Sequence, residues 1–419
     1  MGIDPSVSTA VAEAHRREWA YVLASAVRVA RDIDLAEECV QETYATALTA
    51  WSSNGIPTNP GAWLTTAARR KVIDRLRRDD TARRKLPLLI DRYELTDPAD
   101  LEAHEIGDER LRLVFICCHP GLSRDAQVAL TLRLLCGLST GEVARAFLIS
   151  EPTMAARIGR AKKKISVARI PYRVPAADDL PQRVSAVCEV VHLLFTTGHA
   201  APWGDRLVRD ELIARALDLA RMLHQLLPAD PEITGLLALL LLTDARRSAR
   251  TDENGELVVL SEQDRSQWDR FATNEGIALV RTALQQRPPS RFALMAAVAA
   301  VHNEAESWED TDWTEIVGLY DALAEVWPSP VVALNRAVAV GFADGPEAGL
   351  AELRPLGDEH SLAGYGYLAV ARAEFLQRLD RYDEARLAYE EGILLTENAV
   401  ERRHLEGRLA ELPATRTAD

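Results

Sequence analysis

The chain has 419 residues, 47% of them hydrophobic, and a formal net charge of −14. Such a length suggests two to four domains with sizeable cores. No apolar run approaches a membrane span, and no basic segment leads into an apolar stretch of the secretory kind at the N-terminus. Five cysteines (Cys39, Cys117, Cys118, Cys136, Cys188) without scaffold spacing argue against a disulfide framework and for a reducing, cytoplasmic compartment. The charge is unevenly divided. Residues 1–171 hold 25 basic and 22 acidic residues, whereas residues 172–419 hold 24 and 41, a balance of −17. The first part is suited to meet a polyanion and the second would be repelled by one.

In chain order, Asp34 to Trp51 reads as an amphipathic helix with Ala36, Val40, Tyr44, Ala47 and Trp51 as its apolar stripe. Glu38, Gln41 and Glu42 share another face with Glu37 beside it, an acidic-amide patch that by itself reads as a solvated surface. Pro60 begins a second helix, with Leu64, Ala68, Val72 and Leu76 recurring at steps of four. Between Arg69 and Lys85 nine basic residues, including Arg69, Arg70, Lys71, Arg75, Arg77 and Arg78, face three acidic ones, which makes a phosphate-binding surface. Trp63 has two readings, a base-stacking ring or the first residue of the core stripe. Pro87 to Glu109 carries eight acidic residues against Arg92, read either as a flexible spacer or as an acidic segment that occupies a basic channel. Cys117, Cys118 and His119 are adjacent and lack tetrahedral ligand spacing, so core packing is expected there and no metal.

Leu138 to Ile165 has the pattern of a helix-turn-helix. Thr140–Phe147 forms the first helix, Leu148-Ile149-Ser150 the turn, Ser150 the N-cap, and Pro152 lies in the first turn of the second helix. Met154, Ile158, Ala161 and Ile165 give a buried stripe, and Thr153, Arg157, Arg160 and Lys164 an exposed one, with Lys163 adding charge. Such a helix can enter a major groove with Arg and Lys on phosphates and base edges.

The order DLAEECVQETY, NPGAWL…ARRKVIDRLRR and a helix-turn-helix resembles an extracytoplasmic-function sigma factor of bacterial RNA polymerase. The resemblance implies that Asp34, Glu37, Glu38, Gln41 and Glu42 dock on the clamp helices of the polymerase's largest subunit. It implies that Trp63, Arg69, Arg70, Lys71, Arg75, Arg77 and Arg78 hold the minus-ten element as single strand. Ser150, Thr153, Arg157, Arg160, Lys163 and Lys164 then read the minus-thirty-five element. The expected division is a region 2 domain at 1–86, an acidic linker at 87–108, a region 4 domain at 109–171 and a C-terminal domain at 172–419. No cofactor and no bond chemistry are implied.

The Pro-containing segment from Ile170 to Pro181 reads as a linker. Beyond it, residues 287–300 and 327–340 superpose at an offset of 40, residues 227–238 form a looser copy, and Arg381–Gly392 has a tetratricopeptide-like step. Stacked helix pairs of this kind form a solenoid that binds protein or peptide. Asn254-Gly255 reads as a small β-hairpin. It is flanked by Asp244–Arg247 and Gln263–Asp269, an Arg/Asp/Trp block that is either a ligand pocket or a salt-bridged network. This block, with His302–Trp313 and Leu319–Val340, resembles the sigma-factor subgroup with a tetratricopeptide-like extension. The expected fold is therefore all-α with one small hairpin. A DNA-binding regulator with a helical-repeat sensor is the second reading, discriminated by segment 34–85, which a plain regulator does not need. An enzyme is the third, with no nucleophile–base pair, metal set or phosphate loop to support it.

Overall fold

Helix signals in the sequence become helices in the computed structural model, which describes residues 5–83, 109–147, 149–168, 170, 172–176, 178–201 and 204–413. Contacts divide the chain into two compact units, Met1–Val190 and Val191–Asp419.

The first unit contains α1 (Pro5–Ala30), α2 (Ile33–Asn54), α3 (Pro60–Arg83), α4 (Glu109–Cys117), α5 (Arg124–Leu130, continued by a π-helical turn to Leu135), α6 (Thr140–Ala146) and α7 (Glu151–Val167). The caps are local. Asp32 accepts from the Leu35 amide at 2.9 Å and Asn59 from the Ala62 amide at 3.0 Å, so each satisfies an orphan donor of its helix start. Ser139 and Glu142 close a capping box on α6. Helices α1, α2 and α3 pack on one another, and Ala36, Val40, Tyr44, Ala47, Trp51, Leu64, Ala68 and Val72 are buried as the stripes predict. Leu76 departs from its stripe and is 37% exposed.

Helices α6 and α7 form the helix-turn-helix, with α5 packed against α7 and Met154, Ile158, Ala161 and Ile165 all buried. This module is joined to α1 within the unit: Trp19 Nε1 donates to the Leu134 carbonyl at 3.0 Å. Gly137 permits that approach, since it has φ +71° and an added Cβ would lie 2.9 Å from the Trp19 ring. The acidic segment 87–108 and residues Arg84 and Lys85 lie outside the described residues. Its neighbour Glu109 is a buried partner of Arg28 (3.0 Å) and Arg112 (3.1 Å). Tyr172 donates to the Ala24 carbonyl at 2.8 Å, so part of the Pro-containing segment is anchored to the first unit.

Helix α8 (Leu180–His199) carries the division between units. The second unit continues with α9 (Asp210–Leu226), α10 (Pro231–Asp244), α11 (Arg270–Ala283), α12 (Arg291–Glu304), α13 (Trp313–Val326), α14 (Pro330–Ala343), α15 (Pro346–Leu353), α16 (Gly366–Arg378), α17 (Tyr382–Leu395) and α18 (Ala399–Glu411). Sequential helices pack in pairs, and the offset-40 repeats are α12 and α14. Small residues permit the close crossings: a Cβ on Gly235 of α10 would lie 2.5 Å from the Ala293 backbone nitrogen of α12. The expected hairpin is a tight turn closed by one antiparallel bridge, Thr251 with Leu257. Asn398, fully buried, caps α18 and donates to Ala201 and Arg206 carbonyls at 2.8 and 3.1 Å, joining the last helix to the unit's first loop.

Candidate functional site

The charged faces of α2, α3 and α7 carry every candidate residue, and the fold brings several of them together. On α2, Glu38 is ion-paired with Arg75 of α3, and Glu42 lies 3.5 Å from Lys71 and 3.8 Å from Arg75. All four side chains are at least a third exposed, so these pairs hold α2 against α3 only weakly. Gln41 donates to Glu37 at 3.2 Å.

Asp34 and Glu37 are engaged differently. Lys162 of α7 donates to Asp34 and to Glu37, each at 2.7 Å, and Arg133 is ion-paired with the other oxygen of Glu37. Glu37 and Lys162 side chains are only 7% and 12% exposed, so this pair is shielded, while Asp34 stays at the surface, 74% exposed. Burial opposes the charge on Lys162, but Glu37 and Asp34 outweigh it and hold its ammonium above the ordinary value. Neither Lys162 nor Arg133 stands out in the sequence. One signal does exist: Lys162 lies four residues after buried Ile158, at the edge of the α7 stripe rather than on its solvent face.

On α3, Arg70, Arg77 and Arg78 are exposed, and Arg69 is half-buried. Trp63 is half-buried and meets Trp51 edge-on with centroids 5.6 Å apart, so one side belongs to the core and the other reaches the surface. On α7, Ser150 accepts from the Thr153 amide and its hydroxyl lies 2.7 Å from that of Thr153. Arg160, Lys163 and Lys164 are exposed. Arg157 is partly covered, 3.2 Å from Asp125 with its guanidinium over the Phe147 ring. Cys117 and Cys118 are buried core residues, and burial raises both thiols, Cys118 to about 12.

In the second unit, the Arg/Asp/Trp block is part network and part something else. Arg247 bridges Asp210 and Asp244 at 2.9 and 3.2 Å. Arg250 and Arg265 donate instead to backbone carbonyls, of His199 and of His302 and Ala305.

An acidic helix, a basic helix and a helix-turn-helix in one unit define a transcription-initiation module that meets polymerase and DNA together. Residues 14–82 match the model of Sigma-70 region 2 and residues 112–165 that of Sigma-70, region 4. Residues 183–284 match a family of unknown function (DUF6596). An uncharacterized protein of Rhizobium meliloti (strain 1021) is 43% identical over 394 residues, covering 93% of this chain and 92% of that protein. No solved structure matches the chain. The chain belongs to the sigma-70 family, as an extracytoplasmic-function type sigma factor with a C-terminal extra domain. It is a sigma factor for promoter recognition by RNA polymerase, and the reading as a regulator outside the polymerase is not favoured. The family is one of non-catalytic initiation factors whose regions 2 and 4 bind core polymerase and promoter DNA. No described helix is long and apolar enough to cross a membrane.

Proposed function

We propose that this sigma factor docks on the clamp helices of the polymerase's largest subunit through Asp34, Glu37, Glu38, Gln41 and Glu42. It opens promoters with α3 and reads the upstream element with α7, acting in the cytoplasm. In this reading Trp63, Arg69, Arg70, Lys71, Arg75, Arg77 and Arg78 hold the minus-ten strand, where a basic surface beside an aromatic ring stabilises unstacked bases. Ser150, Thr153, Arg157, Arg160, Lys163 and Lys164 face the minus-thirty-five element. The observation that supports it best is the outward basic set Arg70, Arg77, Arg78 on α3 and Arg160, Lys163, Lys164 on α7. Polymerase docking through Asp34 and Glu37 exchanges their bonds to Lys162 for bonds to the partner, so α7 leaves α2 as the factor engages.

The domain organisation that goes with this reading is region 2 at 1–86, linker 87–108, region 4 at 109–171 and a regulatory helical-repeat domain at 172–419. The −17 balance of that last part disfavours DNA contact, and its paired helices offer a protein- or peptide-binding surface. Run-off transcription with core polymerase tests the whole reading. The full chain should support promoter-specific initiation, and variants truncated after Val190 should differ from it. Initiation unchanged by the presence of the chain would sink the proposal.

A further inference from the structure

Helix α17 has two faces of opposite character. Ala385, Ala388 and Tyr389 are buried in a core shared with α16 and α18. On the other side Leu387 is 67% and Leu394 85% exposed. No other described helix carries two large apolar side chains at the surface. At about 100° per residue, Asp383, Leu387, Glu390 and Leu394 fall within about 60° of one another. All four are exposed, so acids and leucines alternate along one outward row.

The packing of α17 explains neither residue type. Among the described residues, the carboxylates of Asp383, Glu390 and Glu397, the last just beyond the helix, have no hydrogen bond or ion pair. Asp383 has a local reason to be acidic, since it lies in the first turn where the helix dipole favours an anion, but mid-helix Glu390 has none. The flanking charges are engaged: Glu391 is ion-paired with Arg372 of α16, and Arg386 donates to the Pro413 carbonyl at 3.2 Å. Exposed leucines gain by leaving water against a partner, and unpaired carboxylates between them select a partner of positive charge. A polyanion is repelled by such a row, which excludes promoter DNA. Sigma-70 regions bind core polymerase and promoter DNA, and of these two partners only polymerase can offer a surface both basic and apolar.

We propose that the α17 row docks on a basic surface of core RNA polymerase with apolar pockets for Leu387 and Leu394, giving the second unit its own hold on the enzyme. The inference deepens the reading of residues 172–419 as a protein-binding regulatory domain and rests on it, but not on the docking residues assigned to α2.

Titration of the labelled full chain with purified core polymerase, without DNA, tests it. Leu387→Ser combined with Leu394→Ser should weaken the complex about tenfold, the usual order for truncating anchor residues of an interface. Asp383→Lys combined with Glu390→Lys should weaken it several-fold, and more at low salt than at high. Thermal midpoints should change little, because the four side chains are exposed. Phe271→Ser removes an 89% exposed ring from α11 and should leave binding as it is. Wild-type affinity in a folded leucine or charge variant overturns the proposal, and so does an equal loss in Phe271→Ser, which marks a nonspecific apolar effect. A wild-type dimer in sedimentation that the leucine variant loses assigns the row to a second copy and likewise overturns it. Loss of affinity on changing Glu38 and Glu42 but not the α17 row would sink this inference alone and leave docking through α2 standing.

Discussion

Lys162 on the helix-turn-helix donates to Glu37 on α2 at 2.7 Å, across 125 residues of sequence, and the pair is almost closed to solvent. This pairing of an α7 lysine with an α2 carboxylate makes the two helix surfaces interdependent. Replacing Lys162 by Met leaves Glu37 with Arg133 but removes its second cation. The expected result is a fold weakened by about 1–3 kcal/mol together with core-polymerase affinity raised several-fold, since docking no longer has to break the pair. Titration of labelled core enzyme with both proteins checks it; equal or weaker binding by a folded variant removes Lys162 from control of docking.

The Glu38 and Glu42 pairs should behave differently. Their side chains are about half exposed, so changing both to Gln should cost about 0–1 kcal/mol of stability. If α2 docks on a basic surface of core polymerase, as proposed, the same double variant should lose affinity for it by several-fold. A folded variant that co-elutes with core enzyme like the wild type would argue that α2 docks elsewhere.

Along α7, Arg160→Ala and Lys164→Ala remove exposed cations with no described fold partner. Each should lower the salt slope of promoter binding by about one if it meets a phosphate, or relax specificity at one base position if it reads a base. Arg157→Ala should also lower stability, since Arg157 packs over Phe147 and pairs with Asp125. Fluorescence anisotropy across a salt series, with melting curves for each variant, separates the two effects.

Acid should weaken the second unit through its buried histidines. Burial, then Arg291, lowers His192 to about 4, and burial, then Arg246 and Arg265, lowers His302 to about 3. Both titrate in the fold below their unfolded value near 6.5. The stability they lend is therefore complete above pH 6.5 and is lost as pH falls toward 4 and 3. At pH 5 this amounts to about 1–2 kcal/mol for each histidine. Denaturant melts between pH 7 and 5 should show that loss, and His302→Gln should flatten it; an unchanged slope in the variant excludes His302 as a source.

Close helix crossing makes Gly235 intolerant of a side chain. Gly235→Ala should destabilise the second unit by about 1–3 kcal/mol through overpacking against the α12 backbone. Gly407→Ala, on α18 with open space around it, should be neutral or stabilising by up to about 1 kcal/mol. Thermal midpoints of the two variants measured side by side decide whether backbone proximity is the cause.

The helix starts at Pro60 and Ser150 and most of the buried stripes are legible from residue order, with Leu76 the exception. Met154, Ile158, Ala161 and Ile165 had to share a face because steps of three and four residues return to one side of an α-helix, and Ser150 and Pro152 mark its start. Charge pairing was not legible. Lys162, Lys163 and Lys164 are the same residue in succession, yet only the first is turned toward α2, and only there does it meet Asp34 and Glu37. Glu37 and Glu38 are likewise neighbours with different fates, one closed between Lys162 and Arg133 and the other at the surface with Arg75. Arg246 and Arg247 divide in the same way, the second bridging two aspartates and the first left without an acceptor for its Nε. Periodicity follows from local helix geometry, which every residue carries in the chain itself. Which of two adjacent charges is buried depends on how distant helices cross, and a rotation of one residue, about 100°, exchanges their surroundings.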